Sequence, residues 1–269
     1  MFAVRVSRAS PQAEAQIAAE CAYWASTDWE GPRTETLRNL LNKMQEAPVA
    51  HELFAHFAER FNRRAGGHVL EVGGGQGWAS CLLKRLHPRL VVTLTDVAPE
   101  AVAGRTTWER VYATTIDHVA AAPAWDVPIP DSSVDVIFAF AAAHHFVDHA
   151  AVLSEHWRVL REGGVALWLY EPTSPGIMRW LAERRANRKG MAVPEHVLNA
   201  DAILRVARRQ GFMASSEYWP STTHRSQSAT MYYTLLQTIP ILQRCLPCTC
   251  NFIFQKPPDE SVPRDTTPA

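Results

Sequence analysis

The sequence predicts an α/β protein in which a seven-stranded, mostly parallel sheet carries helices on both faces and follows an N-terminal helical cap. Three observations predict this fold class. From residue 67 onward, short apolar runs alternate with segments whose apolar residues recur at helical spacing. The short runs are apolar throughout, as in parallel strands that helices cover on both faces. Before residue 65 the patterns are helical only.

Three helical segments are predicted within residues 11–64. The first is QAEAQIAAECAYWAS. The second, RTETLRNLLNKMQEA, places four apolar residues on one face: Leu37, Leu40, Leu41 and Met44. The third begins with Pro48 in its first turn, where proline is tolerated because the amide hydrogen has no helical partner there.

The remainder of the chain contains seven predicted strands: HVLEV, RLVVTLTD, HVAAA, SVDVIFAFA, VALWLYEP, ASSEYW and TCNFIFQK. Five helices are predicted between them: GWASCLLKRLH, APEAVAGRTTWERVYAT, HAAVLSEHWRVLREGG, NADAILRVARRQGF and ATMYYTLLQTIPIL. The proline-rich, polar end predicts a disordered tail. We therefore expect a helical cap or lid over residues 1–64, a core over 65–256 and a tail over 257–269.

Composition excludes several classes of function. Lys+Arg and Asp+Glu both number 27, so no net charge attracts nucleic acid or an acidic membrane. No signal-peptide or membrane-spanning run is expected, and five cysteines, an odd number, favour a reducing compartment and a cytoplasmic protein. The CLPCTC stretch lacks a second cluster of ligands, so no metal is expected there.

The stretch LEVGGGQGWAS places four glycines where the first strand of the sheet ends. In an open α/β sheet, ligands bind beyond the carboxyl ends of the strands. A phosphate-binding loop is excluded, because Trp78 and Ala79 stand where that motif requires glycine and lysine. A dinucleotide fingerprint is disfavoured, because Trp78 also takes the place of its third glycine.

Glu71, Gly73, Gly75 and Gly77 form the pattern E-x-G-x-G-x-G, which resembles the first motif of the class I S-adenosylmethionine-dependent methyltransferases. A glycine turn lets the backbone touch the amino-acid end of that cofactor, and the following helix start offers free N–H groups. Asp96 ends the second strand, where this family places an acidic residue for the ribose hydroxyls. Asp96 could also cap the next helix, and the two roles are compatible.

Two further stretches resemble the same family: AWDVPIPDSSVDVIFAFAAAHHF around the fourth strand, and LSEHWRVLREGGVALWLYEP around the fifth. The resemblance covers residues 67–171, and residues 200–256 fit the expected ending. One departure is Pro123, which stands where the family has an acidic residue that contacts adenine. We therefore expect the Ala124 amide and the Trp125 ring, or alternatively Asp126, to contact adenine instead.

The resemblance implies a Rossmann-like fold, S-adenosyl-L-methionine as the cofactor and S-adenosyl-L-homocysteine as its product. The cofactor-binding residues that it implies are Glu71, Gly73, Gly74, Gly75, Gln76, Gly77, Asp96, Val97, Ala124, Trp125 and Ala141.

His144 and His145 follow the fourth strand, where the family often has a histidine that could act as general base. The motif register favours His145 slightly, and a packing or capping role is the alternative for either residue. Together with Asp148 and His149 they could resemble metal ligands, but crowding at one helix start favours a polar rim, so we expect no metal.

Four residues are candidates for substrate contact: Tyr23, Trp24, Trp29 and Glu171. The three aromatic residues precede the core and could close the cleft, or could simply anchor the cap. Glu171 closes the fifth strand and could bind a cation or hydroxyl, or be solvated.

The expected function is methyl transfer to a small-molecule acceptor, with oxygen or nitrogen favoured and carbon open. A non-catalytic S-adenosylmethionine-binding or scaffold protein is the alternative, and Trp78 disfavours a nicotinamide oxidoreductase. We expect no nucleic-acid or membrane partner, and the sequence leaves monomer and homodimer open.

Overall fold

The structure, a computed structural model, describes residues 11–26, 37–187, 196–223 and 225–258. Within this part of the chain, no helix combines the length and the apolar character needed to cross a bilayer. The predicted tail lies almost entirely outside the described residues, and the division into cap and core stays a prediction.

Seven strands form one sheet, in the order β3-β2-β1-β4-β5-β7-β6. The strands are β1 His68–Val72, β2 Val91–Asp96, β3 His118–Ala121, β4 Val134–Phe140, β5 Leu160–Thr173, β6 Met213–Tyr218 and β7 Cys248–Gln255. Strands β1 to β5 pair in parallel, whereas β7 runs antiparallel to both β5 and β6. The predicted seven-stranded, mostly parallel sheet is therefore confirmed.

The helices are α1 Pro11–Ser26, α2 Leu37–His56, α3 Ala58–Phe61, α4 Trp78–Leu86, α5 Pro99–Ala103, α6 Arg105–Tyr112, α7 His149–Val159, α8 Arg179–Ala186, α9 Ala200–Arg209, α10 Gln227–Thr238 and α11 Leu242–Cys245. Two short 3-10 turns cover Ala143–His145 and Gly176–Met178.

Each face of the sheet carries its own apolar core. On one face, residues from α2, α3, α4 and α6 pack against the strands, with Phe54 of α2 in edge-on contact with Phe138 of β4. On the other face, α7 and α9 cover Trp168, Phe252 and Phe254. Because both faces are covered, the strands present only their ends to ligands, and the carboxyl ends of β1, β2 and β4 share one edge.

Two helices differ from the boundaries that glycines in the sequence suggest. The segment predicted as one helix over residues 98–114 is divided at Gly104 into α5 and α6. Helix α7 ends at Val159 rather than at the Gly163-Gly164 pair, and Leu160 already belongs to β5. Carbonyl groups at the C-terminal end of a helix have no helical partner, and here the Lys256 ammonium donates a hydrogen bond to the Leu160 carbonyl.

Helix α2 departs more strongly from prediction. It runs unbroken through Pro48, because the residues that follow are buried in the core and hold the helical backbone despite the missing amide hydrogen. Its first half also differs from a simple apolar stripe. Leu41 and Met44, predicted to share one face with Leu37 and Leu40, are 50% and 52% exposed, whereas Leu40 packs against the core and Asn39 is buried.

Replacing Phe54 with Ala should destabilise the protein by about 3–5 kcal/mol, because the ring is fully buried between Phe61 and Phe138 and its loss leaves a cavity. Leu41→Ala, on the exposed face of the same helix, should change the free energy of unfolding by roughly 0.5 kcal/mol or less. Chemical denaturation of both variants measures the difference. Equal effects would show that α2 is not anchored in the core.

Candidate active site

A cavity of about 420 Å³ lies between the carboxyl ends of the strands and helices α1 and α2. It collects most of the predicted site residues: Tyr23, Trp24, Glu71, Gly73, Gly74, Gly75, Gln76, Asp96, Val97, Ala124, Trp125, Ala141, His144 and His145. Gly77 and Glu171 are not among its lining residues, and Trp29 lies outside the described residues.

The floor of the cavity is the glycine turn between β1 and α4. Gly73, Gly75 and Gly77 all have positive φ angles, which favour glycine. Gly74 is required for a different reason. A β-carbon there would lie 2.6 Å from the carboxyl carbon of Glu71 and would also collide with Leu94. The Gly74 amide donates to the Thr95 carbonyl at 3.0 Å, so the turn is held flat against β2.

Glu71 is a buried carboxyl beside this turn. It is 2% exposed, and one of its oxygens accepts hydrogen bonds from the amide and the hydroxyl of Ser80. Burial raises its pKa to about 8, against the lowering effect of the two Ser80 hydrogen bonds. At neutral pH, Glu71 is therefore mostly protonated in this arrangement.

Asp96 faces the cavity from the end of β2. Its two oxygens accept from the Gly75 amide at 2.8 Å and the Ala98 amide at 2.9 Å. The carboxylate thus orders both the glycine turn and the start of α5. Each oxygen has a second lone pair, so these bonds leave Asp96 able to accept from a ligand hydroxyl. The capping and ligand-facing roles considered from the sequence are compatible in this geometry.

Gln76 fastens helix α2 to the glycine turn. Its side-chain oxygen accepts from the Asn39 amide group and from the Trp108 indole N–H, each at 2.9 Å. The sequence predicts Gln76 at the cofactor but contains no sign of this link between α2 and α6. The same helix face brings Asn42, Lys43 and Glu46 to the cavity. Their spacing from Asn39, of three, four and seven residues, is the signal that could have found them.

One wall of the cavity follows β3. It contains Ala122, Pro123, Ala124 and Trp125. Asp126, considered from the sequence as a substitute for the missing acidic residue, is exposed and is not a lining residue. Pro123, Ala124 and the Trp125 ring therefore form this wall without a carboxylate.

The position of Glu171 differs from the sequence prediction. Expected at the substrate, its side chain is fully buried and serves the turn after β4 instead. One oxygen accepts from the amides of Ala142 and Ala143 at 2.9 and 2.8 Å. The other oxygen accepts from the His144 amide at 3.1 Å and lies 2.9 Å from the His144 ring nitrogen Nδ1. Glu171 thereby fixes both the backbone and the ring of His144.

His145 is held from the other side, by helix α1. Its ring nitrogen Nδ1 lies 3.4 Å from the Glu20 carboxylate, and its carbonyl accepts from Gln16 at 3.0 Å. The rings of His144 and His145 are 4.2 Å apart between centroids. The two histidines thus form a pair at the cavity, with one carboxylate beside each ring.

The neighbouring polar residues have structural partners. Asp148 caps α7 by accepting from Ala150 and Ala151, and His149 contacts the Ala143 carbonyl at 3.0 Å. Within the described ranges, no group of three or more His, Cys, Asp or Glu side chains could hold a metal ion.

Helix α1 supplies the aromatic cover. Tyr23 and Trp24 line the cavity, with their rings arranged edge to face. The Trp24 ring lies directly over Gly75, since a β-carbon on that glycine would be 3.2 Å from it. Trp24, one of the three predicted lid aromatics, therefore packs against the glycine turn.

Glu71→Gln should remove a pH dependence of stability. The unfolded carboxyl ionises near pH 4.5 and the folded one near pH 8, so unfolding releases a proton between these values. Wild-type stability should therefore fall as pH rises through this window, whereas the amide cannot titrate. Denaturation at several pH values from about 5 to 8 should show the variant gaining stability relative to wild type.

Glu14→Gln, on the exposed face of α1, is the control for this measurement and should give a difference that does not change with pH. A constant difference for Glu71→Gln as well would contradict the assignment of a protonated Glu71.

Comparison with known proteins agrees with this geometry. Residues 70–168 match the family model described as "Methyltransferase domain". A probable S-adenosylmethionine-dependent methyltransferase of Mycolicibacterium smegmatis is 37% identical over 119 residues, which cover 44% of this chain and 41% of the relative. The 27-O-demethylrifamycin SV methyltransferase of Amycolatopsis mediterranei is 29% identical over 150 residues, 54% of either chain. The chain thus spans about half the length of these curated relatives.

Among solved structures, geranyl diphosphate C-methyltransferase from Streptomyces coelicolor superposes with a TM-score of 0.61 at 13% identity, over 92% of this chain and 99% of that one. At this identity the similarity concerns the fold. The matched segment runs from the glycine turn to β5 and contains the β2 acid and the histidine pair. Residues 70–168 therefore match a methyltransferase domain, and over this part the chain is similar to S-adenosylmethionine-dependent methyltransferases.

Proposed function

We propose that this protein transfers the methyl group of S-adenosylmethionine to a small-molecule acceptor. The observation that carries the proposal is the position of Gly74: a turn with no room for a side chain lies between Glu71 and Asp96 at the floor of the cavity. That arrangement offers bare backbone to the amino-acid end of the cofactor and carboxylate oxygens to its hydroxyls.

The residues present fit this cofactor. Glu71 can interact with an ammonium group in place of the proton that burial now favours. Asp96 faces the cavity with a carboxylate suited to the ribose hydroxyls, and the wall of Pro123, Ala124 and Trp125 offers an apolar, partly aromatic surface for a flat base. When bound, the sulfonium supplies an activated methyl group. The chain has to hold the acceptor in line with it and exclude water.

The histidine pair is the proposed proton acceptor. With Nδ1 of His144 donating to Glu171, Nε2 becomes the basic nitrogen of that ring. The sequence favoured His145, but the Glu171 contact supports His144 as the better oriented base. His145, beside Glu20, would then shape the site or relay the proton. Transfer to oxygen or nitrogen would use this base, and transfer to carbon is the further possibility.

The lack of a carboxylate on the β3 wall favours one alternative, a protein that binds the cofactor without catalysis. Cofactor binding would then be intact while no acceptor is methylated. A methyl-transfer assay therefore distinguishes the methyltransferase from the non-catalytic protein, whereas a cofactor-binding assay does not.

Calorimetry should detect binding of both S-adenosylmethionine and S-adenosylhomocysteine. Gly74→Ala should weaken this binding by roughly a hundredfold or more, because the added carbon displaces Glu71 or the turn. Gly176→Ala is the matched control: its added carbon would meet only the Asn199 amide nitrogen, at 3.7 Å. If wild-type protein binds neither ligand at high micromolar concentration, the proposed function is wrong.

Replacing His144 with Asn should lower kcat by about 10²–10⁴ if it is the base, and His145→Asn should lower it less. Glu171→Gln should also reduce kcat, because the amide loses the charge that favours the present tautomer of His144. Calorimetry with S-adenosylhomocysteine controls for cofactor binding, which should change little. Unaltered kcat in both histidine variants would argue against base catalysis here.

A further inference from the structure

The carboxyl end of β5 contains a strained bulge that turns Tyr170 to the other face of the sheet. Along β5, Val165, Leu167 and Leu169 pack in the core on the α2 side, while Ala166 and Trp168 pack on the α7 side. By this alternation Tyr170 would face α7. It packs on the α2 side instead, with φ at +60°, and the pairing with β7 shifts register between Trp168 and Glu171.

A positive φ is costly for an aromatic residue, and bulges that re-aim one side chain are common beside active sites. Here the Tyr170 amide donates to the Asn251 side chain at 2.9 Å, which holds the bulge. Ala141, directly after β4, donates its amide to the Leu169 carbonyl of β5 and also has a positive φ, of 48°. Two neighbouring strands are thus both strained where they reach the cavity.

The re-aimed Tyr170 holds an arginine. Arg225 donates from Nη2 to the Tyr170 hydroxyl at 2.6 Å and from Nε to the Ser221 carbonyl at 3.2 Å. Its guanidinium lies 3.9 Å from the centroid of the Tyr233 ring. Within the part of the chain that the structure describes, Arg225 forms no ion pair with Asp or Glu. A half-buried guanidinium is therefore restrained by aromatic groups, with its charge not neutralised by a carboxylate.

This Tyr170–Arg225–Tyr233 cluster lies at the margin of the cavity. The Tyr170 ring stacks on Phe140, which lines the cavity, with centroids 5.8 Å apart and an interplanar angle of 18°. From α2, Glu46 also lines the cavity and lies close enough to act electrostatically on Tyr170. The cluster is therefore one aromatic ring away from the space beside the glycine turn.

Charge is distributed unevenly between the two ends of this region. Asp96 flanks the glycine turn and Glu20 lies beside the histidines, whereas Lys43 lines the cavity from α2 and Arg225 lies beside Tyr170 of β5. Lys43 is 3.6 Å from Glu46, whereas Arg225 has no carboxylate partner among the described residues. Burial raises the pKa of Tyr170 to about 12, so its hydroxyl keeps the proton needed to donate to an anion.

We propose that Arg225, positioned by Tyr170 and Tyr233, binds an anionic group, a carboxylate or a phosphate, of the methyl acceptor. This proposal rests on the proposed function, since it assigns a subsite beside the same cavity, next to the Phe140 ring that lines it. A planar guanidinium can donate two parallel hydrogen bonds to such a group. The aromatic walls formed by Phe140 and Trp78 fit a ring or chain attached to it.

The test uses benzoate and its uncharged analogue benzamide as probes, titrated into protein saturated with S-adenosylhomocysteine and followed by calorimetry. Benzoate should bind roughly tenfold or more tightly than benzamide, as expected for hydrogen bonds to a charged group. Arg225→Gln should abolish this preference, and Tyr170→Phe should weaken it. Arg85→Gln, an exposed arginine on α4, should leave it unchanged.

Equal binding of the two probes, binding of neither in the millimolar range, or a preference that survives Arg225→Gln would overturn the proposal. If Arg225→Gln fails to fold, Arg225→Lys provides the comparison. It keeps the charge but loses the planar fork, so the preference should shrink without vanishing. Failure of S-adenosylhomocysteine to bind wild-type protein would count against the proposed function, whereas normal cofactor binding without a benzoate preference counts only against this subsite.

Discussion

The close packing of Gly74 against β2 is the constraint on which the rest of the site depends. Because no side chain fits there, the turn approaches β2 closely enough for its amide to bond to Thr95. That approach places Gly75 within reach of the Asp96 carboxylate. It also seats Gln76 where its side chain can hold α2 and α6. The absence of a side chain at Gly74 therefore sets the floor of the cavity and the position of Gln76, which holds α2 and α6.

A second organising group, Glu171, acts on the other half of the site. A carboxylate that accepts from three backbone amides and one ring nitrogen in the interior makes a rigid turn out of a short irregular segment. Since the turn carries His144, its geometry is set before any ligand arrives. Preorganisation of this kind lowers the cost of aligning a proton acceptor with its substrate.

Much of this site could be predicted from the sequence because the determinants are local. The glycine spacing, the acid at the end of β2 and the histidines after β4 each lie beside a strand whose apolar pattern is plain. The placement of Glu171 could not be predicted, because it depends on a bulge at Tyr170, and nothing in LWLYEP marks a left-handed residue. The orientation of α2 was also missed. Periodicity identifies a stripe of apolar residues but not whether the opposite face meets water or a polar cavity.

The exposure of Leu41 and Met44 in the first half of α2 has a consequence for the stability of this helix. Leu41 and Met44 are exposed there, so this half of the helix has fewer apolar contacts, those of Leu40 and Ala47, and is also held by the hydrogen bond from Asn39 to Gln76. Its local opening should therefore cost less free energy than opening of the Phe54 half, which is anchored in the core. A ligand that bridges the glycine turn and α2 would raise that cost. Binding of such a ligand and ordering of the first half of α2 would then be thermodynamically coupled.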